Sequence, residues 1–173
     1  MPLLNTPNGP ACHYFEAGAG NPVLLLHGSA SAGAAWRSVV QPLVTDHHIF
    51  APDLPGYGLS EPWRRGERLS PECDRGAVKA ALDLVSEPMH VVAHSYGGAV
   101  AIQAAKHHPD RIASLTPAPA KRVTEHLSVL LGRADSAELA GAGHLSPHTH
   151  ADLVAGHIRG HIAATAEPSG KAA

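Results

Sequence analysis

The chain has 173 residues, the size of one domain, and can bury roughly 70% of the surface its unfolded form exposes. Apolar residues make up 44% of it but aromatic residues only 4%, so the core must come from Ala, Val, Leu and Ile. A formal net charge of −2 leaves no basic excess, which argues against nucleic acid and against an anionic membrane as partners. In chain order, Met1 to Asn5 lacks the basic and apolar runs of a signal peptide, and no apolar run approaches the ~20 residues of a membrane-spanning helix. Cys12 and Cys73 are the two cysteines, with no CxxC or Cys/His spacing for zinc. The expectation is a soluble, cytoplasmic protein with reduced thiols.

Cys12 to Ala17 reads as a short strand closed by the turn signal Gly18-Ala19-Gly20-Asn21-Pro22. Val23-Leu24-Leu25-Leu26 is apolar without alternation, as in a parallel strand buried on both faces. A weakly helical stretch follows from Ala34 to about Val44, then a second buried strand at His48-Ile49-Phe50-Ala51. Ser70-Pro71 announces a helix, with Ser70 as N-cap and Pro71 at its first position. Val78, Ala81, Leu82 and Val85 form its apolar side, and Pro88 is expected to end it.

Met89-His90-Val91-Val92-Ala93 is a third strand, and a small-residue helix is expected from Gly98 to His107, stopping at Pro109. Arg111-Ile112-Ala113-Ser114-Leu115 reads as a fourth buried strand, Thr116 to Lys121 as a linker, and Leu127 to Leu131 as a fifth strand. A final helix should follow Ser146-Pro147 with Val154, Ile158 and Ile162 on one face. Strands alternating with helices predict an α/β fold, a three-layer sandwich with a mainly parallel sheet. Residues 1–166 should form one domain, with 167–173 a frayed tail.

Between the third strand and its helix lies Ala93-His94-Ser95-Tyr96-Gly97-Gly98. Small residues flanking a serine at a strand-to-helix turn are what a nucleophile elbow needs. The turn is strained and leaves Oγ exposed, and the helix N-terminus favours developing negative charge. The plainer alternative is a glycine-rich turn whose serine caps the helix.

With the elbow, three further segments resemble the α/β-hydrolase family, in its order. Leu24-Leu25-Leu26-His27-Gly28-Ser29 is similar to its oxyanion loop. Asp53-Leu54-Pro55-Gly56-Tyr57-Gly58-Leu59-Ser60 is similar to its D-x-P-G-x-G-x-S loop. Gly141-Ala142-Gly143-His144 is similar to its catalytic histidine loop. The one departure in the elbow is Ala93, where the family usually has glycine. The resemblance implies that Ser95 is the nucleophile and His144 the general base, with the backbone N–H groups of Ser29 and Tyr96 as oxyanion donors. It implies a supporting role for His27 and Gly28. Leu130-Leu131-Gly132-Arg133-Ala134-Asp135 resembles the strand end bearing the family's acid, which points to Asp135; an ordinary turn aspartate is the alternative. Asp53 and Asp110 read as turn residues and Asp152 as solvated. His94 also flanks the serine, though adjacent side chains diverge at such a turn. His157 and His161 have a spacing that can bind metal, but no third ligand accompanies them.

The chain is short for the family. Between Leu115 and Leu127 there are 11 residues, too few for a cap domain, and only 8 separate Asp135 from His144, too few for the usual helix and strand. The expectation is therefore a member lacking the cap and the last strand-helix unit, with an open site and an exposed sheet edge that could pair two copies in a homodimer. The function so implied is a serine hydrolase of small-molecule carboxylic esters, a Ser-His-Asp enzyme needing no metal or organic cofactor. The alternative is a truncated, inactive relative serving as a binding module. Amide, lactone or carbon–carbon cleavage on the same triad also stays open.

Overall fold

Val23, Leu24, Leu25 and Leu26 are all fully buried, and successive side chains enter different cores. A strand can do this only at the centre of a sheet covered on both faces. The structure, a computed structural model, describes residues 2–6, 9–63, 70–118 and 149–166. The six described strands are β1 (Leu3–Leu4), β2 (Cys12–Gly18), β3 (Asn21–Leu26), β4 (His47–Pro52), β5 (Met89–His94) and β6 (Ile112–Ala118). They form one sheet in the order β1-β2-β4-β3-β5-β6. β1, β2 and β4 pair antiparallel, whereas β4, β3, β5 and β6 run parallel.

Helices α2 (Pro71–Leu82) and α3 (Tyr96–His107) cover one face, packing on Leu24, Leu26, Phe50, Val91 and Ala93. Helices α1 (Arg37–Leu43) and α4 (Ala151–Ala166) cover the other, over Val23, Leu25, Ile49, Ala51 and Val92. Val154, Ile158 and Ile162 lie on the buried side of α4, as their spacing predicts. Ser70 caps α2, its Oγ accepting the Cys73 N–H at 3.2 Å, with Pro71 at the first position.

Several boundaries move. α2 ends at Leu82, well before Pro88, where the Arg111 guanidinium donates to the carbonyl oxygens of Leu82, Val85 and Ser86. α3 begins at Tyr96 rather than Gly98, because the elbow turn is a single residue wide. β6 runs on through Thr116-Pro117-Ala118, which pair with Val92, Ala93 and His94, so the first half of the expected linker is strand; its remainder lies outside the described residues. β6 is also less buried than its apolar pattern implied: Leu115 is buried but Ala113 is exposed. The expected strand at Leu127–Leu131, together with Asp135 and His144, lies outside the described residues.

β4 lies on one side of β3 and β5 on the other. The chain thus reverses its direction of travel across the sheet between β3 and β5. In open parallel sheets, ligands bind at such a reversal, beyond the carboxyl ends of the strands. Leu26 pairs with Ala93 there, so His27-Gly28 and His94-Ser95 leave the sheet side by side.

Candidate active site

Ser95 has φ 51° and ψ −117°, a conformation L-residues rarely adopt. Holding it costs about 1–3 kcal/mol, which the surrounding packing must supply. Ser95 occupies the N-cap position of α3 but its side chain makes no capping hydrogen bond. The plainer reading of an N-capping serine therefore loses its physical basis. The turn is possible because its neighbours are small. A Cβ at Gly97 would lie 2.6 Å from the His27 carbonyl oxygen and 2.7 Å from that of Leu26. One at Gly28 would lie 3.1 Å from Ser95 Cβ and 2.8 Å from His94 Nδ1. The loop after β3 thus touches the elbow directly.

His27 is 1% exposed and ties that loop to the next one. Its Nε2 accepts the Leu54 N–H at 2.9 Å, so the proton sits on Nδ1, which donates to the Gly28 carbonyl at 2.8 Å. Burial holds its pKa below the usual histidine value, in keeping with a neutral ring. Tyr57 stands edge-on to it at 5.2 Å. Ser29 and Ala30 follow in an exposed turn, with Ala30 at φ 54°.

Asp53 is more than a turn residue. Its buried carboxylate accepts the Gly33 N–H at 2.7 Å and the Leu59 N–H at 2.9 Å, while its carbonyl accepts the Ser60 hydroxyl. It thereby organises the Asp53–Ser60 loop. Asp110 and Asp152 are exposed. Cys12 and Cys73 are not joined in a disulfide; Cys12 is fully buried, and burial pushes its thiol up to about 11, which makes it unreactive.

Sequence reasoning passed over Asp74. It is 1% exposed on α2, accepting the Trp63 Nε1–H and the Tyr96 hydroxyl, each at 2.8 Å. Burial raises its pKa, and the same burial, with the Asp74 carboxylate beside it, raises that of Tyr96. The available signal was a carboxylate in register with Ala77, Val78 and Ala81 on the apolar stripe of the helix.

A cavity of about 300 Å³ lies beside α2, between Pro10, Trp63 and His108, and Ser95 does not line it. Among the described residues, no group of three or more His, Cys, Asp or Glu side chains is placed to hold a metal ion. None of their helices is long and apolar enough to cross a membrane.

A mainly parallel sheet sandwiched by helices, with a strained serine at its reversal point, defines an α/β architecture with a sharp strand-to-helix elbow. A family model described as the alpha/beta hydrolase fold matches residues 21–120, and the chain belongs to that family. It is 35% identical over 143 residues to the lipase LipV of Mycobacterium tuberculosis, covering 79% of this chain and 49% of the lipase. It is 33% identical over 110 residues to a 2-hydroxymuconate semialdehyde hydrolase of a Pseudomonas species, covering 62% and 39%. The crystal structure of an epoxide hydrolase from Vigna radiata superposes with a TM-score of 0.63 at 26% identity, covering 76% of this chain and 46% of that one. The chain thus spans less than half the length of these relatives.

Proposed function

We propose that this chain is a serine hydrolase that cleaves small carboxylic esters by acyl transfer through Ser95. The observation that carries the reading is the left-handed backbone of Ser95, at the sheet's reversal point and uncapped, with Gly28 against its Cβ. Ser95 Oγ attacks the acyl carbon as His144 takes its proton. The oxyanion so formed is met by the N–H groups of Tyr96 and Ser29, and Asp135 orients the histidine. The intermediate collapses as the imidazolium protonates the departing alcohol. Water, activated by the same histidine, then releases the acid and restores the hydroxyl.

The relatives' names include lipase, epoxide hydrolase and semialdehyde hydrolase, and the nucleophile's chemistry helps choose among them. An epoxide opened by serine would leave a stable alkyl ether on Oγ, which water does not cleave. An ester leaves an acyl group, which it does. Serine is therefore matched to acyl transfer.

Hydrolysis of a p-nitrophenyl acetate probe, by wild type, Ser95→Ala, His144→Ala and His94→Gln, tests this. Wild type should turn over, and Ser95→Ala and His144→Ala should each lose at least about 10³-fold. A fall in His94→Gln with His144→Ala unaffected would move the base to His94. Folded wild type without a serine-dependent rate would sink the reading and leave a binding module.

A further inference from the structure

Two acidic side chains are buried among the described residues, Asp53 and Asp74. Asp53 is accounted for by the loop whose amides it gathers. Asp74 is not: it caps nothing and forms none of the ion pairs among the described residues. Its two oxygens take two side-chain donors, Trp63 Nε1–H and Tyr96 Oη–H. An apolar residue in the same stripe of α2 would pack without desolvating a charge. What a carboxylate adds is a strong, directional pull on both donors.

Tyr96 is the first residue of α3, directly after the strained Ser95. Its ring also lies 6.4 Å from that of Tyr57, which in turn stands against His27. The ring is thus gripped at its tip by Asp74 and flanked by the aromatic pair that backs the Gly28 loop. A strained turn tends to relax by rotating its peptide planes, and the plane between Ser95 and Tyr96 carries the Tyr96 N–H. Pinning the far end of a stiff side chain opposes that rotation.

We propose that Asp74 is a positioning residue of the Ser95 site: by holding the Tyr96 hydroxyl it keeps the Tyr96 backbone N–H aimed at the developing oxyanion. This rests on the acyl-transfer reading above. The donor belongs to the transition state, so loosening it lowers kcat and spares KM.

The test is a double-mutant cycle with Asp74→Asn and Tyr96→Phe, read as kcat and KM for p-nitrophenyl acetate. Each single variant should lose about 10-fold in kcat, less than the ~10²-fold of deleting an oxyanion donor, with KM within about twofold. The double variant should fall no further than the worse single one, because both cut the same link. In parallel, ultraviolet titration of the tyrosines should show Tyr96 ionising well above the usual range in wild type. It should return toward that range in Asp74→Asn, with Tyr96→Phe assigning the signal. Tyr96→Phe keeps the ring, so it stays informative should Asp74→Asn fold poorly. Unchanged kcat in both single variants, with wild type active, overturns the proposal and leaves the hydrolase reading standing. An additive double variant overturns it too. Wild type without serine-dependent turnover overturns both.

Discussion

At Gly97 and Gly28 the site leaves no room for a side chain. Alanine at 97 must push against the backbone carbonyls of Leu26, which ends the central strand, and of His27, which is fixed just beyond it by its hydrogen bonds. We expect Gly97→Ala to lose about 1–3 kcal/mol of stability in urea unfolding, with Ser95-dependent turnover falling alongside. An unchanged midpoint would mean that α3 can lift off β3. The tight turn at Ser95 and Gly97 was legible from the sequence because a strand-to-helix turn between small residues is a local pattern, whereas Gly28 stood out only through the family resemblance of its loop. Asp74 was not legible, since its partners Trp63 and Tyr96 come from separate segments. Its register on the apolar stripe of α2 marks it as facing inward, but no pattern in a linear chain says which donors it meets there.

At the scale of elements, α4 tests how the second core is held. Val154, Ala155, Ile158 and Ile162 pack with Trp36, Val39, Val40 and Leu43 on one face of the sheet, and Arg159 ties the helix to the Pro42 carbonyl and to Thr45. Ile158→Ala should cost about 2–5 kcal/mol, measured by chemical denaturation. Asp152→Ala, on the exposed face, should stay within about 0.5 kcal/mol. Equal effects from the two would deny that α4 packs through this face. The 3.6-residue period made that face readable in advance. β6 was harder to read: whether Thr116-Pro117-Ala118 continues a strand depends on β5 offering Val92, Ala93 and His94 beside it. A proline is tolerated where its missing N–H faces away from the ladder.

For the whole molecule, histidines partly or wholly withdrawn from water set the acid response. His90, at the start of β5 near His47 and His161, is held at about 4 instead of 6.5, mainly by burial, and His27 is shifted the same way. A base with a depressed folded pKa is protonated more readily in the unfolded chain. Between pH 6.5 and about 4 the unfolded state therefore binds the extra proton, and stability should fall as pH falls through that window. Asp74 acts oppositely: its raised pKa means the folded state takes up its proton first, so acidification relieves part of its cost. Urea unfolding across this range should show net acid destabilisation, flatter in His90→Gln. A wild-type curve with no slope there would refute the assignment.

Composition, periodicity and local motifs determined what short stretches of chain settle among themselves. These are the buried strands, the capped α2, the inward face of α4, the α/β class and the serine between β5 and α3. Only the tertiary structure decided which strands are neighbours. That order sets the reversal between β3 and β5, brings Gly28 against Ser95 and turns Asp74 onto Tyr96. The physical reason is that burial and backbone pairing across a sheet join residues far apart in sequence. A side chain's partner there depends on every element packed around it, not on its neighbours in the chain.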